Sequence, residues 1–193
     1  AGMDLKAFVT GEMPMIEGRG FAGLVEQPPK KPLIAAVEGY ALAGGCELAL
    51  ASDLIVAANN SKFGVPEVKR SLPAAAGGLM RLPQQIPYRI AMEAALTGDF
   101  FDVQRAYDLG LINRVAEPGK ALETALELAK TIAANGPLAV KVSKQVVQES
   151  SDWSQADMWD KQQEIVNPVF SSEDAIEGAT AFAEKRAPNW KGK

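Results

Sequence analysis

Glu47 and Glu67 are the side chains whose type and setting best suit them for chemistry. Glu47 follows a glycine pair in Gly39-Tyr40-Ala41-Leu42-Ala43-Gly44-Gly45-Cys46-Glu47-Leu48, where an apolar run passes into a helix-like stretch. Glu67 follows a proline in Phe63-Gly64-Val65-Pro66-Glu67-Val68. Two carboxylates that a fold brings together can act as a general acid and a general base. The chain has no histidine, so glutamate is the natural candidate for that work. The apolar neighbours Cys46, Leu48, Ala49 and Leu50 predict burial for Glu47, and a buried carboxylate needs a reason. The plainer readings are a glutamate that complements a helix dipole at 47 and a loop residue beside Lys69 and Arg70 at 67.

Gly44-Gly45 lets backbone approach a ligand closely, because neither residue has a Cβ. A turn of this kind feeding a helix presents free N–H groups, which suit a carbonyl oxygen becoming an oxyanion. A tight turn without a ligand is the alternative. The spacing is not GxGxxG, and no GxxxxGK[ST] occurs, so dinucleotide and P-loop readings lose support. Cys46 reads as a small packed residue, since no imidazole exists to activate it. Lys6, Lys185 and Arg186 could bind phosphate, though each alone reads as a solvated charge.

Composition narrows the classes further. A chain of 193 residues can bury a substantial core as one or two domains. A net charge of −4 argues against a general nucleic-acid binder. One cysteine excludes an intrachain disulfide and suits a reducing compartment. With no histidine, a zinc site and Ser-His-Asp or Cys-His nucleophiles lose their ligand or base. No apolar run is long enough to span a bilayer. The opening Ala1-Gly2-Met3-Asp4-Leu5-Lys6 reads as if cut into the middle of a domain, so a targeting segment could precede it.

The elements that must position these residues follow from pattern. Residues 11–31 form a loop, with a short helix predicted around Phe21 to Val25. Pro32 to Tyr40 reads as one buried strand, Gly44 to Ser52 as a helix, and Asp53 to Ala58 as a second buried strand. That order is a βαβ unit and favours parallel strands in an α/β core. Leu72 to Leu82 is rich in Ala and Gly, and a helix is expected from Ile86 to Thr97 after Pro83 and Pro87. A short helix follows from Asp102 to Leu109, stopped by Gly110. From Pro118 onward the pattern is helical, with one stripe through Leu122, Ala125, Leu126, Ala129, Ile132 and Ala133. Gly136-Pro137 breaks it, a Trp-bearing stretch runs from Ser154 to Phe170, and Ser172 caps a last helix. Ile176, Ala179, Phe182 and Ala183 share one face of that helix.

Taken together, AGMDLK (1–6), PLIAAVEGYALAGGCELALASDLIVAA (32–58), KFGVPEVKRSLPAAAGGLMRLP (62–83), ALTGDFFDVQRAYDLGLINRV (95–115) and GATAFAEKRAPNW (178–190) resemble the crotonase, or enoyl-CoA hydratase/isomerase, family. The resemblance implies an α/β fold, a spiral of ββα turns over residues 1–117 followed by a helical trimerisation region over 118–193. It implies an acyl-CoA thioester substrate, with coenzyme A as part of that substrate and no separate cofactor or metal. The thioester oxygen would be held by the backbone N–H groups of Met3 and Gly44. The two hydratase carboxylates fall on Glu47 and Glu67. Ala1, Asp4, Leu5 and Lys6 match the substrate-binding segment, and Phe182 and Lys185 match positions that approach the CoA of a neighbouring subunit. Homotrimers or dimers of trimers are expected, with no nucleic-acid or membrane partner. The expected compartment is the cytoplasm, or the mitochondrial matrix for a eukaryotic source. The family's strands before AGMDL are absent, Ala75 stands where glycine is common, and the 11–31 loop has no family consensus. The implied activity is hydration of a trans-2-enoyl-CoA to a 3-hydroxyacyl-CoA. An isomerase using Glu67 alone and a silent acyl-CoA-binding subunit are the alternatives.

Overall fold

Gly39 divides the first apolar run. The computed structural model describes residues 2–193 and gives Gly39 a φ of 70°, a left-handed turn that costs glycine little. PLIAAVEGY is therefore not one strand, as its composition predicted. It makes β3 (Ile34–Val37) and the start of β4 (Tyr40–Leu42), which enter different sheets. Helix α2 (Gly44–Leu50) follows, then β5 (Leu54–Ala58) and β6 (Lys62–Gly64) repeat the step. β3 pairs parallel with β5, from Ile34↔Leu54 to Val37↔Ala57, and β4 pairs parallel with β6. Each ββα turn thus stacks on the last, first strand on first strand and second on second. β8 (Arg114–Ala116) extends the first sheet in parallel, and β7 (Phe101–Asp102) closes the second antiparallel to β6. The chain has the α/β spiral of ββα turns that the sequence implied.

Two compact units form, one from residues 2–29 and 33–127, the other from residues 30–32 and 128–193. The core of the first packs Ile55, Ala57 and Phe63 from the strands, with Val65 just after β6, against Cys46, Ala49 and Leu50 of α2. Ile55, Val56, Ala57 and Ala58 are buried, as the apolar run predicted. Two α-helices in this unit were not read from sequence. α1 (Leu5–Val9) is capped by Asp4, whose carboxylate accepts the Lys6 N–H at 2.8 Å. α3 (Gly78–Gln85) starts inside the Ala/Gly-rich stretch and contains Pro83, so its apolar pattern is short and interrupted. α4 (Tyr88–Thr97) begins after Pro87 and stops at Gly98, and α5 (Val103–Asp108) is capped by Asp102. The helix expected around Phe21 to Val25 is instead the end of a small hairpin, β1 (Met15–Ile16) with β2 (Gly20–Phe21), followed by a turn through Ala22 and Gly23, both at positive φ. One turn of hydrogen bonding from Phe21 does not continue as a helix.

Helix α6 (Ala121–Ala133) leads to α7 (Pro137–Glu149), α8 (Met158–Phe170) and α9 (Glu173–Glu184). Gly136-Pro137 does separate α6 from α7, and the Ser172 hydroxyl accepts the Ala175 N–H at 3.0 Å as a cap. Of the stripe on α6, Ala125 is buried while Leu122 and Leu126 are exposed on the single chain, and the α9 face of Ile176, Ala179, Phe182 and Ala183 is exposed throughout; the buried alanines Ala121 and Ala181 lie outside the predicted stripes. No helix among the described residues is long and apolar enough to cross a membrane.

Candidate active site

Ala43 turns the chain from β4 into α2 with φ 53° and ψ −131°, a region unfavourable to a residue with a Cβ. Two hydrogen bonds hold it there: its N–H donates to Gly64 O, and its O accepts from Glu47 N, both at 3.0 Å. The result is a helix whose first N–H groups have no carbonyl one turn back to bond. Gly44 is the first of these residues. The Gly2 and Ala43–Gly44 backbones lie against each other so closely that a Cβ on Gly2 would stand 2.7 Å from Gly44 N. A Cβ on Gly44 would stand 2.6 Å from the Phe21 ring. Both glycines are required by contact. Gly2 and Met3 thereby border the same cavity as Gly44.

Glu47, in the first turn of α2, is only 3 % exposed. Its Oε1 accepts the Gly78 N–H at 2.9 Å, a bond made by the first residue of α3. A Cβ at 78 would sit 3.0 Å from that oxygen, so glycine is the residue that lets the carboxylate reach the N–H. Burial is the largest influence on Glu47 and pushes its carboxyl above the usual range. The N–H groups of Gly78 and Ala76 and the Arg81 guanidinium pull the other way.

Glu67 sits in the first turn of a 3-10 helix, Pro66–Arg70, whose leading proline sets the backbone. Burial again pushes its carboxyl up most; its own backbone N–H and Arg70 oppose this, while the charge of Glu47 adds to it. Its Oε2 is buried and has no hydrogen-bond partner among the described residues. A native structure rarely leaves a carboxylate oxygen in that condition without use for it.

Both glutamates line one cavity of about 500 Å³ in the first unit. Met3, Leu5, Phe8, Met13, Met15 and Phe21 form an apolar side of it, and Ala75, Ala76 and Phe100 also contribute. The two glutamates, Met3, Gly44 and Leu5 singled out from sequence therefore meet. Asp4 and Lys6 are exposed and outside the lining, and Asp4 has a capping role. Ala1 lies outside the described residues. Phe182 and Lys185 belong to the second unit, Phe182 at 87 % exposure and Lys185 as the left-handed residue that ends α9. The Cys46 thiol is buried and pushed up to about 12 by desolvation, so it is no nucleophile. Gly2, Phe21 and Arg81 were not singled out as site residues from sequence, whereas Gly78 closes the Pro73-Ala74-Ala75-Ala76-Gly77-Gly78 segment that the family resemblance marks as water-positioning.

The family model described as enoyl-CoA hydratase/isomerase matches residues 2–193. Carnitinyl-CoA dehydratase from Proteus mirabilis is 42% identical over 200 residues, covering 100% of this chain and 77% of that protein. The crystal structure of enoyl-CoA hydratase from Mycobacterium tuberculosis H37Rv has a TM-score of 0.98 and 62% identity, covering 100% of this chain and 76% of that chain. A probable enoyl-CoA hydratase/isomerase from Mycobacterium abscessus gives a TM-score of 0.95 and 60% identity with the same coverage. The chain belongs to the enoyl-CoA hydratase/isomerase, or crotonase, family. It is a hydro-lyase, an enzyme of the class that adds or removes water.

Proposed function

We propose that the protein adds water across the 2,3 double bond of a trans-2-enoyl-CoA and, in reverse, dehydrates the 3-hydroxyacyl-CoA. The observation that carries this reading is a pair of carboxylates on one cavity, Glu47 buried and Glu67 half-buried with its Oε2 shielded, whose border includes Gly44 at the start of α2. The thioester oxygen is held by the N–H groups of Met3 and Gly44, each worth roughly 3 kcal/mol to the developing oxyanion. Glu47 is the base. Its Oε1 accepts the Gly78 N–H, a bond that favours its anion. It takes a proton from water as the water oxygen bonds to C3, and electrons move onto the thioester oxygen. Glu67 is the acid. Its partnerless Oε2, disfavoured as an anion by burial and by Glu47, holds a proton and delivers it to C2. The enolate collapses, and one molecule of water has been added. Coenzyme A enters as part of the substrate, and the reading assigns no separate cofactor or metal.

The reading extends to assembly. Leu122, Leu126, Ile176 and Phe182 are exposed apolar side chains on helices, which supports a homotrimer or dimer of trimers built through residues 118–193. Phe182 and Lys185 would then serve the CoA of a neighbouring subunit, and Asp4, Leu5 and Lys6 the CoA of their own. A single buried cysteine suits the reducing cytoplasm.

The test is turnover of crotonyl-CoA and longer enoyl-CoAs, followed by loss of the enoyl thioester's ultraviolet absorbance, with Glu47→Gln and Glu67→Gln beside the unaltered protein. Unchanged rates in both variants would sink the assignment. An isomerase needs one base only and leaves the burial of Glu47 without a use. Incubation with a 3-enoyl-CoA in deuterated water separates the two reactions.

A further inference from the structure

Arg81 lies on α3, a turn beyond the glycine that binds Glu47, and its guanidinium reaches in two directions. Its Nη2 donates to Val25 O at 2.5 Å, across from α3 to the segment that follows β2. Its Nη1 fills the space beside Gly77, which adopts φ 104° and has no side chain of its own to occupy that space. Val25 is buried with Phe21 and Ala51, and Phe21 is the ring packed on Gly44. One side chain therefore links the turn that braces Gly44 to the helix whose first N–H holds Glu47. We propose that Arg81 is a positioning residue of the hydration site: it ties the Phe21–Val25 turn to the start of α3 and keeps a positive charge beside Gly77, next to the Gly78 N–H that holds the Glu47 carboxylate.

A planar fork suits this double task better than a point charge. Three other groups bear on the site. Glu67 faces Glu47 from the 3-10 turn, Arg70 lies near Glu67, and the Cys46 thiol on α2 stays neutral. Arg81 is the cation that acts on Glu47 from a neighbouring element. It opposes the burial that would otherwise protonate this carboxyl more readily. Removing the positive charge makes the Glu47 anion harder to form, so its titration moves to higher pH.

The proposal rests on the hydratase reading for its catalytic meaning, and the experiment separates the two. Protein labelled with ¹³C at the glutamate carboxyls is titrated by NMR, with the Glu47 signal assigned by its loss in Glu47→Gln. Arg81→Gln removes the charge and keeps an N–H donor for Val25 O. Arg81→Lys keeps the charge and loses the fork. Circular dichroism confirms that each is folded. In Arg81→Gln the Glu47 midpoint is expected to rise, with the acid limb of kcat/KM rising by the same interval. In Arg81→Lys the midpoint should stay nearer that of the unaltered protein, while kcat falls through the loosened turn. An unmoved midpoint in Arg81→Gln, or an equal rise in both variants, overturns the role of the charge whatever the rates do. A raised midpoint that the acid limb does not follow supports the link and counts against Glu47 as the hydration base.

Discussion

Asp174 and Glu67 are carboxylates withdrawn from water in different units of the chain, and their surroundings are opposite. Asp174 is 4 % exposed at the start of α9. Its two oxygens accept the N–H groups of Lys191 at 2.7 Å and Gly192 at 2.9 Å, and its own N–H bonds Lys193 O. Nearby, Glu177 grips Arg186 by both oxygens at 2.6 and 2.9 Å, and the Asn189 N–H adds a third bond. These contacts hold the Glu177 carboxyl down to about 2. Glu67 has an oxygen with no partner and a carboxyl pushed up. Satisfied carboxylates tie the last residues of the chain to α9. The unsatisfied one faces a cavity. The two carboxylates thus differ in whether their oxygens are already bonded.

The strongest way to break that contrast is to neutralise the cavity pair. Glu47→Gln or Glu67→Gln should lower kcat by about 10²–10⁴-fold, the usual range for losing a general base or acid, measured by steady-state hydration at saturating substrate. Asp174→Ala attacks the other side. It removes the acceptors of the Lys191 and Gly192 N–H groups on an exposed segment, two hydrogen bonds at about 0.5–1.5 kcal/mol each, and should lower Tm in thermal unfolding without the collapse of kcat. Equal kcat losses in Asp174→Ala and Glu67→Gln would erase the distinction.

Stability and pH sharpen it. Burial disfavours the Glu67 anion in the folded chain, so its folded pKa lies above its unfolded value. At neutral pH this costs stability, and the cost disappears as pH falls through the folded pKa. Glu67→Gln should therefore raise Tm at pH 7, by about 2–4 °C for each kcal/mol relieved, and the gain should vanish toward pH 4. Glu177 has the opposite sign. Its pKa is depressed, so its contribution is present above the ordinary carboxylate range and is lost as pH falls toward 2. The smallest effect is expected at Lys185. Lys185→Ala removes an exposed cation, worth up to about 1 kcal/mol, and should raise KM for a CoA ester by a few-fold at low salt with kcat little changed. An untouched KM at low salt would remove Lys185 from the CoA site.

Particular residues show how far the sequence could be read. Burial at Glu47 followed from its apolar neighbours, because a helix turn shares one local environment. Glu67 carried no such signal, since a 3-10 turn led by proline exposes or hides its second residue according to what packs on it. The run at 32–40 looked like one strand because its composition is uniform; a single left-handed glycine divided it between two sheets. The apolar stripes of α6 and α9 were legible from spacing. Their exposure on the single chain was not, because periodicity marks a face and not what the face meets.

What the sequence determined by itself is therefore local and additive: apolar periods, glycine turns, the Ser172 cap and the absence of histidine. Its motifs were also enough to place the chain in its family. Only the tertiary structure decided that Gly78 donates to Glu47, that Gly2 and Phe21 crowd Gly44, and that Arg81 spans from α3 to Val25. Those contacts join residues separated by 31, 42, 23 and 56 positions, two of them made possible by missing Cβ atoms. Hydrogen bonding and close packing act over a few ångströms in space, so no local pattern along the chain encodes which distant groups will meet.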